Sequence, residues 1–325
     1  MSGKNVLISS AGRRVSLVRD FKKSLNALFP EARVIAADAQ PELSAACVSA
    51  DHAVKVPRIN DADFIPALFN YCNDYSIGMI IPTIDTELLS FARHRAEFEA
   101  AGVHLIVSDM ELVHACRNKR LTHDLFSAYG MEHALEVDPD TARYPVFSKP
   151  EGGSSSIGIH LFHSIVEVTP AHRMEPGRMF LEYLDPKVHT EFTVDLYYDR
   201  YSALKCCVPR QRIETRSGEV NKGITRRNSI LDYLKKRISL LKGSRGCITL
   251  QVFQNDITGR IIGIEINPRF GGGYPLSYAA GADFPTMLLK EYYLGEQVTD
   301  FDTWEADLLM LRYDNEVLIH GAQVK

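Results

Sequence analysis

The chain has 325 residues, 45% of them hydrophobic and 24% charged, with 37 basic side chains against 41 acidic ones. That length and balance describe a globular chain of two or three domains and exclude disorder, collagen-like repeats and a coiled coil. The longest apolar stretches, such as Met79 to Pro82 and Ile261 to Ile266, fall far short of the ~20 residues a spanning helix needs, so no membrane partner is expected.

The N-terminus runs directly into a strand-like Asn5-Val6-Leu7-Ile8, with no export or anchoring signal. The six cysteines, at positions 47, 72, 116, 206, 207 and 247, form no CxxC pair. They are read as reduced thiols of a cytoplasmic protein.

Over the first hundred residues, short apolar runs alternate with longer amphipathic ones, the pattern of βα units around a parallel sheet. Strands are expected at Asn5 to Ser9, Arg33 to Ala37, Ala53 to Val56, Gly78 to Ile81 and Val103 to Val107. Helices are expected at Arg14 to Phe29, Asp61 to Tyr75 and Thr86 to Ala100. Ligands of such a sheet sit beyond the carboxyl ends of its strands, here the loops Ser9 to Arg13, Asp38 to Gln40 and Pro82 to Asp85. The first loop lacks the GxGxxG spacing of a dinucleotide turn. Its Arg13-Arg14 pair at a helix N-terminus suits a carboxylate or phosphate, or is plain surface.

After Ser108 the texture changes, and the best single domain cut falls there, giving units 1–108 and 109–325. Two short helices, Met110 to Cys116 and Lys119 to Tyr129, lead to an extended run at Pro145 to Lys149 and then a Gly/Ser-rich loop. Strands follow at Gly158 to Phe162, Arg178 to Tyr183, Thr190 to Tyr198 and Ser202 to Val208. Beyond them lie a helix, Ile230 to Leu241, and strands at Cys247 to Phe253 and Arg260 to Asn267. Between Lys205 and Arg245 twelve basic residues face three acidic ones, so this segment carries +9 and the rest of the chain −13. It is either a solvated surface or an electrostatic funnel for a polyanion. Stacking aromatics are not interleaved with it beyond Tyr233, which argues against a nucleic-acid partner.

The densest chemical signal is the run from Leu250 to Arg269. Two β-like stretches flank a turn ending in Gly259, a hairpin centred near Thr258. Facing positions in an antiparallel pair sum to a constant, so Gln251 faces Glu265. Strand side chains alternate, so Glu265, Asn267 and Arg269 point with Gln251, while Ile262, Ile264 and Ile266 point to the core. A carboxylate, two amide oxygens and a guanidinium then share a face. Oxygen ligands of this kind, completed by phosphate oxygens, suit nucleotide-bound Mg²⁺; a polar face with Glu265 paired to Arg269 is the plainer alternative.

The string from Gln251 through Glu265-Ile266-Asn267-Pro268-Arg269 resembles the metal-binding hairpin of ATP-grasp enzymes. Over roughly residues 4 to 295 the chain is similar to the carbamoyl-phosphate-synthase-like branch of that superfamily, which includes the pyrrolysine-biosynthesis ligase. The resemblance implies a mixed α/β and α+β architecture: a Rossmann-like N-terminal (pre-ATP-grasp) domain, then an ATP-grasp fold of two subdomains, a small lid at about 118–183 and a larger catalytic part at about 184–325. It implies ATP and Mg²⁺ (or Mn²⁺) as cofactors. Lys119 and Lys149 match the phosphate-holding lysines, and Gly153, Ser154, Ser155 and Ser156 the lid loop over the phosphates. Glu182, Tyr183 and Leu184 match the adenine hinge, and Glu191 the ribose carboxylate. Gln251, Glu265 and Asn267 match the metal ligands. Arg269 is implied as the principal catalytic guanidinium and Lys222 as a supporting cation near the γ-phosphate, with the register at Lys222 left open by gaps. Arg13, Asp85, Glu87 and Arg210 are candidate contacts to the acceptor substrate.

The activity this implies is ATP-dependent carboxylate-amine (or carboxylate-thiol) ligation through an acyl phosphate, with small-molecule substrates. A homodimer stays open. An ATP-grasp kinase that stops at a phosphoester and a non-catalytic nucleotide sensor are the rival readings. Carbamoyl phosphate synthesis itself is not expected of a single ATP-grasp half without a glutaminase-like nucleophile.

Overall fold

The structure is a computed structural model that describes residues 3–152, 158–216 and 218–321. Its first layer is a parallel sheet of β1 (Asn5–Ile8), β2 (Val34–Asp38), β3 (His52–Lys55), β4 (Ile77–Ile81) and β5 (His104–Leu105) in the order β3-β2-β1-β4-β5. Near-continuous apolar strands such as Ile77–Ile81 are buried along their whole length, as a sheet covered on both faces requires. Helices α1 (Val15–Leu28), α2 (Ala45–Ser49), α3 (Phe64–Asp74) and α4 (Asp85–Ala100) cover it. The strand order reverses between β1 and β4, which makes the crevice beyond their carboxyl ends the favoured ligand position. The fifth strand is shorter than the expected Val103 to Val107, because the chain leaves the sheet edge after Leu105.

Helix α1 joins this layer to the rest. Its Leu17, Val18, Phe21 and Leu25 recur at helical spacing and are buried. They belong to a core shared with Phe270, Phe284 and Leu288 from the far end of the chain. Phe21 meets Phe270 edge-on with ring centroids 5.7 Å apart. Burying each such side chain contributes roughly 1.5–3 kcal/mol, so the N-terminal loops are held firmly against the second half.

Helices α5 (Met110–Arg117) and α6 (Lys119–Ala128) and the short β6 (Glu132–His133) lead to a three-stranded antiparallel sheet of β7 (Val146–Pro150), β8 (His160–Phe162) and β9 (Arg178–Glu182), with α7 (Pro170–Met174) inserted before β9. Then come β10 (His189–Tyr198), β11 (Leu204–Arg216), β12 (Glu219–Thr225), α8 (Ser229–Ile238), β13 (Gly246–Asn255), β14 (Ile261–Asn267), α9 (Tyr274–Ala279), α10 (Phe284–Leu289) and β15 (Leu309–Leu311). They build a seven-stranded sheet in the order β15-β12-β11-β10-β13-β14-β6. Among the described residues no helix is long and apolar enough to cross a membrane.

Three expectations change. The strand expected to stop at Val208 runs on to Arg216 and pairs with β12, which sequence did not signal because Asn221-Lys222-Gly223 has poor strand propensity. The edge strand β15 pairs Lys222, Gly223 and Ile224 with Leu311, Met310 and Leu309. The third change is in the β13–β14 hairpin. Gln251 does face Glu265, but Val252 faces Gly263, so the ladder shifts by one residue between them. Ile264 is the extra residue of a β-bulge. Alternation therefore changes phase there: Ile262 and Ile264 pack with Met179 and Leu181 of the small sheet, and only Ile266 enters the main core. Gly263 takes the inward position, where an added Cβ would meet the Phe126 ring at 2.7 Å. Bulges beside functional sites re-aim side chains in this way.

Candidate active site

The site grows from sheet register. Pairing across β11, β10, β13 and β14 places Arg210, Thr193, Gln251 and Glu265 in one row, and the next row holds Asp195, Thr249 and Asn267. Neighbouring strands lie ~4.8 Å apart, so these polar groups form one continuous floor. Asn267 donates to Glu265 Oε1 at 2.9 Å, and Arg269 reaches Asn267 Oδ1 at 3.4 Å. The expected grouping of Gln251, Glu265, Asn267 and Arg269 is thus present. Arg269 is not paired to Glu265; its Nη2 binds Asp85 Oδ2 at 2.5 Å, across the boundary with the N-terminal layer.

This floor lies under a cleft of about 330 Å³ walled by Arg14, Asp85, Lys119, Arg212 and Arg269. A second cleft, of about 470 Å³, opens toward the small sheet and is lined by Lys149, Glu182, Tyr183, Leu184 and Glu191. The two share Lys119, Arg212, Gly218, Gln251 and Glu265. Lys149 is the next-to-last residue of β7 and is only 7% exposed. Burial, and then the neighbouring Lys119, bring its pKa down to about 8 against the pull of Glu265. Lys119 starts α6, where Asn118 caps the helix, and donates to the Gly152 carbonyl at 3.2 Å; burial lowers its pKa. Glu191 accepts from Arg212 Nη1 at 2.7 Å, and burial raises its pKa. Glu182 lines the cleft but spends its carboxylate on Arg260 at 3.2 Å and the Leu135 N–H at 3.1 Å. Gly153, Ser154, Ser155 and Ser156 lie outside the described residues.

Other assignments are corrected. Glu87 is fully buried and accepts from Ser9 and Ser10 hydroxyls at 2.8 and 2.7 Å and from Thr83 and Ile84 N–H at 2.7 and 3.2 Å. It ties the loops after β1 and β4 together and leaves no oxygen for a substrate. Lys222 stands on β12 with its ammonium 2.6 Å from Glu214, and it lines neither cleft. Arg210 does line the cleft, but its Nε and Nη2 grip the buried Asp195 at 2.7 and 3.0 Å. Arg13 is exposed at the cleft rim, while Arg14, which sequence could not separate from it, turns inward.

The +9 segment divides in the same manner. Of its twelve cations only Arg210 and Arg212 line the clefts. Arg216, Arg226, Arg227 and Lys235 pair instead with Asp314, Asp307 and Asp302 on the last stretch of chain, at 2.5 to 3.0 Å. These are surface pairs of modest energetic worth.

Among the described residues no group of three or more His, Cys, Asp or Glu gathers as a metal site. Glu265 with two amide oxygens fits a cation only if phosphate oxygens complete its shell. Lys119 and Lys149, which line the two clefts, fit such phosphates. Arg269 Nε, Arg212 Nε and Arg210 Nη1 are buried N–H groups without an acceptor among the described residues.

Two family models match. One, PylC-like N-terminal domain, covers residues 6–106, and the other, ATP-grasp in the biosynthetic pathway with Ter operon, covers residues 175–315. No curated protein matches in sequence. Among solved structures, the biotin carboxylase domain of Hydrogenobacter thermophilus 2-oxoglutarate carboxylase, in complex with MgADP, ADP and bicarbonate, superimposes with a TM-score of 0.72 at 15% identity, over 95% of this chain and 74% of that one. Staphylococcus aureus N5-carboxyaminoimidazole synthetase gives 0.67 at 14% identity, over 91% and 78%. An L-amino acid ligase from Bacillus licheniformis gives 0.64 at 17% identity, over 90% and 74%. At these identities the likeness is one of fold.

Proposed function

We propose that this chain, an ATP-grasp protein, is an ATP- and Mg²⁺-dependent ligase that joins a small-molecule carboxylate to an amine (or thiol) through an acyl phosphate. The observation that carries the reading is the Gln251–Glu265–Asn267 floor with Lys119 and Lys149 across two adjoining clefts that share Gln251 and Glu265. Glu265 and the amide oxygens of Gln251 and Asn267 would hold Mg²⁺, which when bound supplies positive charge against the nucleotide's phosphates. The adenine would lie against Tyr183 and Leu184, which line the far end of the second cleft, and the ribose would lie near Glu191. Lys149 and Lys119 would hold the phosphates, and Arg269, fixed by Asp85, would face the transferred group. No side chain need act as a covalent nucleophile, since positioning and charge compensation suffice for this chemistry.

The finer reading is carbamoyl-phosphate-synthase-like: the metal hairpin begins with an amide, Gln251, and only Glu265 supplies a carboxylate. The H. thermophilus domain is a dimer in its structure, and we extend that arrangement and a cytoplasmic location to this chain as part of the proposal. The test is ADP release with amino acids, bicarbonate and dicarboxylates, each with and without amines. An acid that releases ADP only when an amine or thiol is present, or an acyl phosphate trapped by hydroxylamine, supports ligation; a stable phosphoester overturns it.

Lys149→Ala is expected to weaken ATP about ten- to a hundredfold while changing AMP little, because a charged hydrogen bond to phosphate is worth ~1.5–3 kcal/mol. Titration calorimetry with both nucleotides checks it, and equal losses would remove Lys149 from the β- and γ-phosphates. With its pKa brought down to about 8, the ammonium is lost as pH rises through that value. ATP affinity should therefore fall above pH 8 in the native protein. It should stay flat in Lys149→Arg, because a guanidinium does not deprotonate there.

A further inference from the structure

A third cleft, of about 700 Å³, continues from the 330 Å³ cleft on the side away from the nucleotide. The two share Arg13, Arg14, Glu219, Gly271 and Gly272, whereas no residue lines both this cleft and the proposed adenine cleft. Its walls are the loop after β1, the start of α1, the Gly271-Gly272 turn and the segment from Met310 to Val317.

Four arginines, Arg13, Arg14, Arg19 and Arg312, line it against two carboxylates, Glu219 and Glu316. Glu219 is already committed to Arg312 at 3.1 Å. Arg14 is half-buried, and its one hydrogen bond is to the Thr83 carbonyl at 3.3 Å. Neither it nor Arg13 has a carboxylate partner among the described residues. Burial, and then repulsion from Arg269, lower the pKa of Arg14, with Glu219 and Asp85 pulling the other way and Arg312 adding to the repulsion. The first turn of α1, whose Val15, Ser16 and Leu17 line this cleft, has no acidic side chain and no side-chain cap. Cations held together against their own repulsion and without carboxylate partners are stabilised by an anion. ATP phosphates would be met in the neighbouring compartment by Lys119, Lys149 and the metal floor, which leaves the charge of this cleft for something else.

We infer that the acid substrate carries two anionic groups: the carboxylate to be activated, seated beside Arg269, and a second carboxylate or phosphate seated at Arg13, Arg14 and Arg312. This rests on the ligase reading for the role of the first group only.

The test uses α,ω-dicarboxylates from succinate to suberate, 3-phosphoglycerate, and monocarboxylates of equal length, measured for binding by thermal shift and calorimetry with Mg·ADP present and for ADP release with ATP. At least one dianion should bind about tenfold or more tightly than its monoanionic counterpart, a difference of ~1.4 kcal/mol. Whether dicarboxylates or 3-phosphoglycerate bind more tightly identifies the distal group. Arg14→Ala should remove that preference while leaving ATP affinity unchanged. Arg13→Ala, at an exposed position where folding is not at stake, should weaken the same dianion several-fold. Equal binding of mono- and dianions, no dianion binding at all, or an Arg14→Ala loss that falls equally on ATP would overturn the inference. Dianion binding that depends on Arg14 without ADP release from any acid would sustain it and sink the ligase reading. ADP release as efficient with monoacids as with diacids would do the reverse.

Discussion

Glu265→Ala should reduce Mg·ATP turnover by about a hundred- to a thousandfold or more, the scale on which removing one fixed electrostatic contact to developing charge is felt. The effect is expected to be large because Glu265 is the carboxylate of the Gln251–Glu265–Asn267 group, whose other two members are amides. The fold should survive. Glu265 is half-buried and faces the cleft, and it accepts a hydrogen bond from Asn267 at 2.9 Å. Unfolding stability should change by less than about 1 kcal/mol, as for substitutions outside a packed core. Steady-state ADP release and a thermal melt on the same preparation check both parts. Near-normal ADP release with a competent acid would show that this carboxylate does not hold the metal.

Asp195→Ala should instead act on the fold. Asp195 is fully buried and takes Arg210 Nε at 2.7 Å, Arg210 Nη2 at 3.0 Å and the Ser277 hydroxyl at 2.6 Å. Arg210 is itself 1% exposed, and its Nη1 lies where a Cβ on Gly273 would be 2.2 Å away. Removing the carboxylate strands a buried guanidinium, which costs about 3–5 kcal/mol. Asp195→Ala combined with Arg210→Met should recover most of that loss, because the uncompensated charge goes with its partner. Chemical denaturation of the two single variants and the double variant decides it. A single-variant loss below about 1 kcal/mol, or a double-variant loss equal to the sum of the singles, would mean that the pair is not what holds the floor of the cleft together.

These two residues show where sequence reading succeeds and where it stops. Gln251 faces Glu265 as the hairpin reading expects, although the pairs nearer the turn, Val252–Gly263 and Gln254–Ile261, are centred half a residue before Thr258 and the bulge restores the match. Asp195 carries no sequence signal, since a carboxylate in a strand looks like any surface residue until its partner is known. Lys222 and Glu87 failed for the same reason in the opposite direction. Each carries suitable chemistry, but Glu214 claims the first and the Ser9, Ser10, Thr83 and Ile84 donors claim the second. The bulge at Ile264 lay beyond period-two reasoning as well, because its cause is packing: Phe126 demands a glycine at 263, and the small sheet receives Ile262 and Ile264.

By itself the sequence determined what local periodicity and short-range register encode: the βα alternation of the first hundred residues, the β13–β14 hairpin, and the polar set Gln251, Glu265, Asn267 and Arg269 on its cleft side. Tertiary structure alone decided how charge is shared out. Arg269 is fixed by Asp85, 184 positions away in the chain, and four of the twelve cations of the +9 segment are drawn to the surface by aspartates near the C-terminus. It also turned Arg14, not Arg13, toward the centre. The physical reason is that backbone hydrogen bonding and strand alternation act between near neighbours, whereas ion pairing and burial depend on distances that only the folded chain sets.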